Sequence, residues 1–192
     1  ADGSGLILVS SDRHVRRVDA KRGVVVWHHR LPASSVVCPV VAGGAAYVLG
    51  AGGRLHKLDA AMGAVRWTRA GFGFRSPAPA VHGDSIFLAS KDALLYRLAT
   101  RDGTQRWVKP ITGAATAPPV VVGRTVYVVT RPSHLLAVRL DSGGHYLAHK
   151  LPQRVVSEPV PFGRGVALLD RRGLLTLLTG RDTTKPSPAG TP

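Results

Sequence analysis

The strongest constraint on this chain is a step of 40 residues that several unrelated residue types keep together. Pro39 is followed by Pro79, Pro119 and Pro159, and Gly43 by Gly83, Gly123 and Gly163. Gly23, Gly63, Gly103 and Gly143 keep the same step, as do Trp27, Trp67 and Trp107, with Leu147 in the fourth slot. One complete unit, residues 39–67, reads PVVAGGAAYVLGAGGRLHKLDAAMGAVRW. Within it, short apolar runs alternate with glycine or Asp-to-Gly turns, giving four strand signals in about 40 residues. Helical repeats would show a 3.6-residue spacing, and leucine-rich repeats would be shorter. Four strands per unit of this length predict an all-β chain, a β-propeller of four-stranded blades, with a partial or incomplete ring of about four to five blades.

Each column has a physical reading. Gly43 and its equivalents fall between the first and second strands, where a tight hairpin wants positive φ. Gly23, Gly63 and Gly103 end the turn between the third and fourth strands, and Asp19 and Asp59 precede it as short acceptors for turn N–H groups. Pro39, Pro79, Pro119 and Pro159 open the innermost strand, where a ladder donor can be dispensed with. Trp27, Trp67 and Trp107 end the outer strand. The expectation is that they plug the space between blades, because a strictly repeated position favours packing over a stacking platform for a sugar or cofactor.

Along the chain, residues 6–10, 14–19 and 24–30 predict three strands of a first blade that lacks its inner strand. Full blades are expected over 36–69, 76–109 and 117–149, and a last blade stops after PVPFG, GVALLD and LLTLLT. The propeller is thus assigned to residues 1–180, with both end blades incomplete and 18 strands in all. Residues 181–192, RDTTKPSPAGTP, lose all alternation and are expected to form a disordered tail. Both ends carry the second and third strands of a blade, so they do not complement each other, and open edges invite β-augmentation by a partner.

With 192 residues and 44% apolar content the chain is long enough for a sizeable core. No run reaches 18 apolar residues, and the polar start at residues 1–5 followed by a strand predicts no signal peptide in this stretch. Cys38 stands alone in an apolar strand entry, VVCPVV, which predicts a buried thiol. A net charge of +15, from 26 basic and 11 acidic residues, predicts attraction to anionic surfaces. Two loose columns, Arg17, Lys57, Arg97 and His29, Arg69, Lys109, His149, could form a positive ring. The site expectation is therefore an anionic-partner surface on Arg17, Lys57, Arg97, Arg69 and Lys109, against the plainer reading of a solvated rim.

The pattern P-V-V-x-x-G-x-x-Y-V followed by G-x-L-x-x-L-D-x-x-x-G-x-x-x-W resembles the pyrroloquinoline-quinone-like (PQQ-like) propeller repeat. Residues 39–67, 79–107 and, in part, 8–27 carry it, and the likeness covers about residues 6–180. In finer grain the chain resembles the C-terminal half of the BamB family of outer-membrane assembly lipoproteins. The segments LYRLATRDGTQRW, DSGGHYLAHKLPQRVVSEPV and RRGLLTLLTGRD carry that likeness. The resemblance implies an eight-bladed parent whose N-terminal blades and lipidated cysteine are absent from this sequence. It further implies a non-catalytic scaffold in the periplasm, associated with the outer membrane, docking by loops onto protein partners of a membrane-associated assembly. The +15 charge departs from that pattern, and LPASSVVCP carries no acid for an acidic docking surface.

Quinone dehydrogenases on this repeat need acids and an amide around calcium, yet the chain has no Asn and one Glu, Glu158. Most other acids fall in turns. Glu158 beside Pro159 could bind a cation or act as a base; the plainer reading is a solvated loop end. His28 and His29 face opposite sides of a strand, and His145 and His149 have no third ligand, so no zinc site is expected. No phosphate-loop, nucleophile-elbow or dinucleotide fingerprint occurs. The expectation is no enzyme, no cofactor, no metal and no specific nucleic-acid partner. The alternatives are an extracytoplasmic ligand-sensing propeller domain and a degenerate fragment of a PQQ-dependent dehydrogenase.

Overall fold

The computed structural model describes residues 5–35, 37–73, 76–151, 155 and 157–178. Eighteen strands form five antiparallel sheets of three, four, four, four and three strands. The first sheet is β1 (Gly5–Val9), β2 (His14–Asp19) and β3 (Val25–Arg30). The second is β4 (Val40–Ala42), β5 (Ala45–Gly50), β6 (Arg54–Asp59) and β7 (Val65–Arg69). The third is β8 (Ala80–His82), β9 (Ser85–Ala89), β10 (Leu94–Ala99) and β11 (Gln105–Pro110). The fourth is β12 (Val120–Val122), β13 (Thr125–Thr130), β14 (His134–Arg139) and β15 (His145–Lys150), and the fifth is β16 (Val160–Phe162), β17 (Gly165–Leu169) and β18 (Leu175–Leu178). Each sheet is a meander in chain order, and the short strands β4, β8, β12 and β16 neighbour one another along the inner rim. The architecture is the partial β-propeller that the 40-residue step predicts. The tail at 181–192 lies outside the described residues.

The local chemistry explains each meander. Gly43, Gly83, Gly123 and Gly163 all adopt φ of 55–58° in the turn between the two innermost strands, a conformation that side chains with a Cβ rarely take. In the first two sheets the turn into the outer strand begins at an acid: Asp59 Oδ1 accepts the N–H groups of Ala61 and Met62, and Asp19 Oδ1 those of Lys21 and Arg22. A bulge follows at the same place in four sheets, between Arg17 and Val18, Lys57 and Leu58, Arg97 and Leu98, and Ala137 and Val138. Such a bulge strengthens the local twist.

The core is four separate seams rather than one centre, each between successive sheets. The second strand of an interior sheet serves two seams at once. Ile86 and Leu88 face the sheet before, Phe87 and Ala89 the sheet after, and all four are buried. That is why SIFLA and TVYVVT read as unbroken apolar runs instead of alternating ones. The end sheets show what is missing. Leu6 is 55% exposed, whereas Ala46 and Ile86, its equivalents one and two steps on, are fully buried. At the other end Val160, Phe162, Leu169, Leu175 and Leu177 share one exposed face. The two ends therefore do not cover each other.

One expectation is corrected. Cys38 is exposed, not buried. Val40 and Val41 belong to the strand that follows, while Cys38 itself lies in the connection running up to that strand.

Candidate functional site

Two constellations stand out, one inside the seams and one at an end of the propeller. In the seams, the repeated tryptophans and the first cation column act together. Trp27 Nε1 donates to the Ala60 carbonyl of the next sheet, Trp67 to Thr100 and Trp107 to Leu140, each at 3.2 Å. The residue paired across the strand from each tryptophan is a cation, Arg17, Lys57 or Arg97. It reaches the same turn: Arg17 Nη1 to Ala61 O at 3.4 Å, Lys57 Nζ to Thr100 O at 2.8 Å, and Arg97 Nη1 to Leu140 O at 3.1 Å and Asp141 O at 3.2 Å. These carbonyls are left over where the turn breaks the sheet ladder, so the clasp satisfies groups that the seam would otherwise desolvate. Lys57 also lies 5.7 Å from the Tyr47 ring centre and Arg97 6.0 Å from that of Phe87. Burial pushes the Lys57 ammonium down from its ordinary pKa, with Arg66 adding to the effect.

The glycines that end these turns meet the tryptophans. A Cβ on Gly63 would stand 2.6 Å from the Trp27 ring, and one on Gly103 3.0 Å from Trp67. Gly23, which has no sheet before it, has nothing within 4 Å. From the second column, the Arg69 stem would meet a Cβ on Gly103 and the Lys109 stem one on Gly143, each at 2.7 Å, so both lie along the rims of their seams. Pro39, Pro79, Pro119 and Pro159 each stand immediately before an innermost strand.

The propeller has two unlike ends. One carries the turns between third and outer strands; there Arg66 pairs with Asp59, Arg106 with Asp84, Arg124 with Asp141 and Arg101 with Asp102, while Lys21, Arg22 and Arg164 stand exposed. The guanidinium of Arg66 holds Asp59 below the usual carboxylate range, as Arg106 does Asp84. The other end carries the turns between second and third strands. There Lys91, Arg131 and Arg171 stand exposed at the first turn residue of three successive sheets. Among the described residues their side chains make no ion pair or hydrogen bond. These three also keep the 40-residue step, a signal present in the sequence but overlooked because it falls in turns rather than strands.

Between the third, fourth and fifth sheets this end is hollowed into a cleft of about 560 Å³. Lys91, Arg131, Ser157 and Glu158 line it, with the backbone of Ala114–Ala117 as its floor. The floor is pinned by Arg131 N–H to Ala114 O at 2.9 Å and Thr116 N–H to Val129 O at 3.0 Å. Glu158 thus belongs to a cleft with two cations. Among the described residues no three of His, Cys, Asp and Glu come together as a metal site would require.

Comparison with known proteins bears on the whole chain. The family described as outer membrane protein assembly factor BamB matches residues 11–155. No curated protein matches the sequence. Among solved structures, BamB from Moraxella catarrhalis is similar with a TM-score of 0.62 and 17% identity, covering 93% of this chain and 71% of that one. A chain of a mitotic checkpoint complex reaches a TM-score of 0.82 at 13% identity, covering 93% of this chain and 58% of that one. The computationally designed Ika8 protein reaches 0.80 at 13% identity, covering 92% and 55%. The chain thus spans only part of the length of each of these proteins, and identities this low speak for the fold alone. The family match extends over more than half of the chain, from the first sheet through the fourth, and on that ground the chain belongs to the BamB family of PQQ-like repeat propellers.

Proposed function

We propose that the chain is a non-catalytic propeller scaffold that docks protein partners of a membrane-associated assembly in the cell envelope, in the periplasm next to the outer membrane. The observation that carries this reading is the family match over residues 11–155, whose description names outer-membrane protein assembly. The seams support it mechanically. Three successive clasps fix each turn against the sheet before it, so loops at the propeller ends keep a constant register for a partner.

The test is a pull-down from envelope extract at moderate salt, with the chain as bait and mass-spectrometric identification. The expected result is recovery of barrel-assembly components. Recovery of nothing but anionic lipid or nucleic acid, released by salt, would overturn the reading.

A further inference from the structure

We propose that the end bearing Lys91, Arg131 and Arg171 is a binding site for an acidic peptide segment, whose carboxylates pair with Lys91 and Arg131 in the cleft and with Arg171 beyond it. The inference rests on the scaffold reading and adds the chemistry of the partner. The starting point is the contrast between the two ends. On one, Arg66, Arg101, Arg106 and Arg124 of the second to fourth sheets are matched by Asp59, Asp102, Asp84 and Asp141, and only Lys21, Arg22 and Arg164 of the first and last sheets stand exposed without an ion pair among the described residues. On the other, three exposed cations in a row have no partner among the described residues. Unmatched cations repeated at the same position of successive sheets make a field that a single extended anion can follow.

The concavity selects among anions. A cleft of about 560 Å³ falls within the size range of built ligand sites and admits side chains that a flat membrane surface could not deliver. Among the described residues no aromatic ring lines it, so they offer none of the stacking that holds single-stranded nucleic acid. Glu158 sits in the lining and repels any ligand whose every unit is negative, as in a phosphodiester chain. A peptide spaces its carboxylates and offers amide N–H groups between them. One such N–H, or a neutral residue, can face Glu158 while Asp or Glu side chains reach Lys91 and Arg131. Ser157 and Glu158 come from the connection into the fifth sheet, Ala114–Ala117 from that into the fourth, and Lys91 from the third. The site exists only where three sheets meet.

The experiment is fluorescence anisotropy of a labelled peptide of alternating Glu and Gly on the full chain. Its Gln–Gly counterpart, an oligothymidine and phosphatidylglycerol vesicles are the other probes. The Glu–Gly peptide is expected to bind and the Gln–Gly peptide not. The triple variant Lys91→Ser, Arg131→Ser, Arg171→Ser is expected to weaken binding at least about tenfold, the loss of one to two charge-assisted hydrogen bonds. A charge-matched triple at the opposite end, Arg66→Ser, Arg101→Ser, Arg124→Ser, is expected to leave it within about twofold. Glu158→Gln removes the repelling charge without enlarging the cleft and is expected to tighten binding severalfold. Equal weakening by the two triple variants would overturn the site, because affinity would then follow net charge alone. So would stronger binding of oligothymidine or vesicles lost in the same triple variant. If the envelope pull-down recovers its partners equally with wild type and the Lys91, Arg131, Arg171 variant, the site fails while the scaffold reading stands. If the peptide binds as expected but the pull-down recovers nothing, the scaffold reading fails on its own.

Discussion

The seams between sheets one and two, two and three, and three and four differ in kind from the last one. Each of the first three is closed by an indole N–H and a cation converging on the carbonyls of the next sheet's turn. In the fourth sheet the two clasp positions are Ala137 and Leu147, which still face each other across strands β14 and β15. Tyr127, Val129, Leu135 and Ala137 of the fourth sheet, with Leu151 just beyond it, then meet Val166 and Leu168 of the fifth in one apolar cluster. The fifth sheet has three strands and an uncovered outer face, so the seam without a clasp is also the one next to the open end. The two clasp residues are exchanged together. A cation without the indole beside it would have to reach the turn carbonyl alone, and a polar group half-buried without its acceptor costs more than it contributes. The difference teaches that a repeat array sets the strength of each interface locally, as nearest-neighbour terms.

The largest expected effect tests that directly. Trp107→Ala removes an indole and its hydrogen bond from a clasped seam, with an expected loss of about 3 kcal/mol, against about 2 kcal/mol for Leu147→Ala in the last seam. Urea denaturation of both variants checks it, and equal losses would break the comparison. Hydrogen exchange adds the spatial readout: amides of β17 should exchange faster than those of β9 and β13.

A pH experiment acts on the first seam alone. His56 is buried, its Nδ1 3.0 Å from Thr68 Oγ1. Burial, with Arg54 and His29 nearby, lowers its pKa from 6.5 to about 4. Because the folded pKa is depressed, the unfolded chain binds the proton first as pH falls. Stability from this group is therefore complete above about pH 6.5 and is lost progressively toward pH 4, on the order of 2 kcal/mol. His56→Gln should flatten the urea midpoint across that window; an unchanged profile would place the acid sensitivity elsewhere.

A pair of glycine variants separates backbone strain from seam packing. Gly83 and Gly103 both hold positive φ, but only Gly103 faces the Trp67 ring and the Arg69 stem. Gly103→Ala should therefore lose about 1–2 kcal/mol more than Gly83→Ala in thermal denaturation. The smallest effect belongs to Arg97→Met, which keeps the stem over Phe87 and removes the hydrogen bonds to Leu140 and Asp141. It is expected to cost about 1 kcal/mol, measured against Ala137→Met in the unclasped sheet, where no such bond exists.

Much of this architecture was legible in the sequence because its determinants are local. Glycines at positive φ, aspartates that bind the next N–H groups and prolines ahead of inner strands each act within a few residues, and a 40-residue recurrence multiplies the signal. Strand number and sheet composition follow from those alone. Cys38 was misplaced because apolar neighbours in sequence say nothing of whether a connection passes over the surface. Glu158 read as a lone loop acid because the residues that share its cleft, Lys91 and Arg131, lie in other sheets.

The sequence by itself thus determined the repeat and the four-stranded unit, since each depends on contacts made inside one unit. Tertiary structure alone decided where the cations point. Arg17, Lys57 and Arg97 look like surface charge in one dimension, yet they turn into the seams, because the carbonyls that accept them belong to the next unit, about 43 residues on. Lys91, Arg131 and Arg171 keep the same period and stay exposed, in the turns between second and third strands at the other end of the propeller.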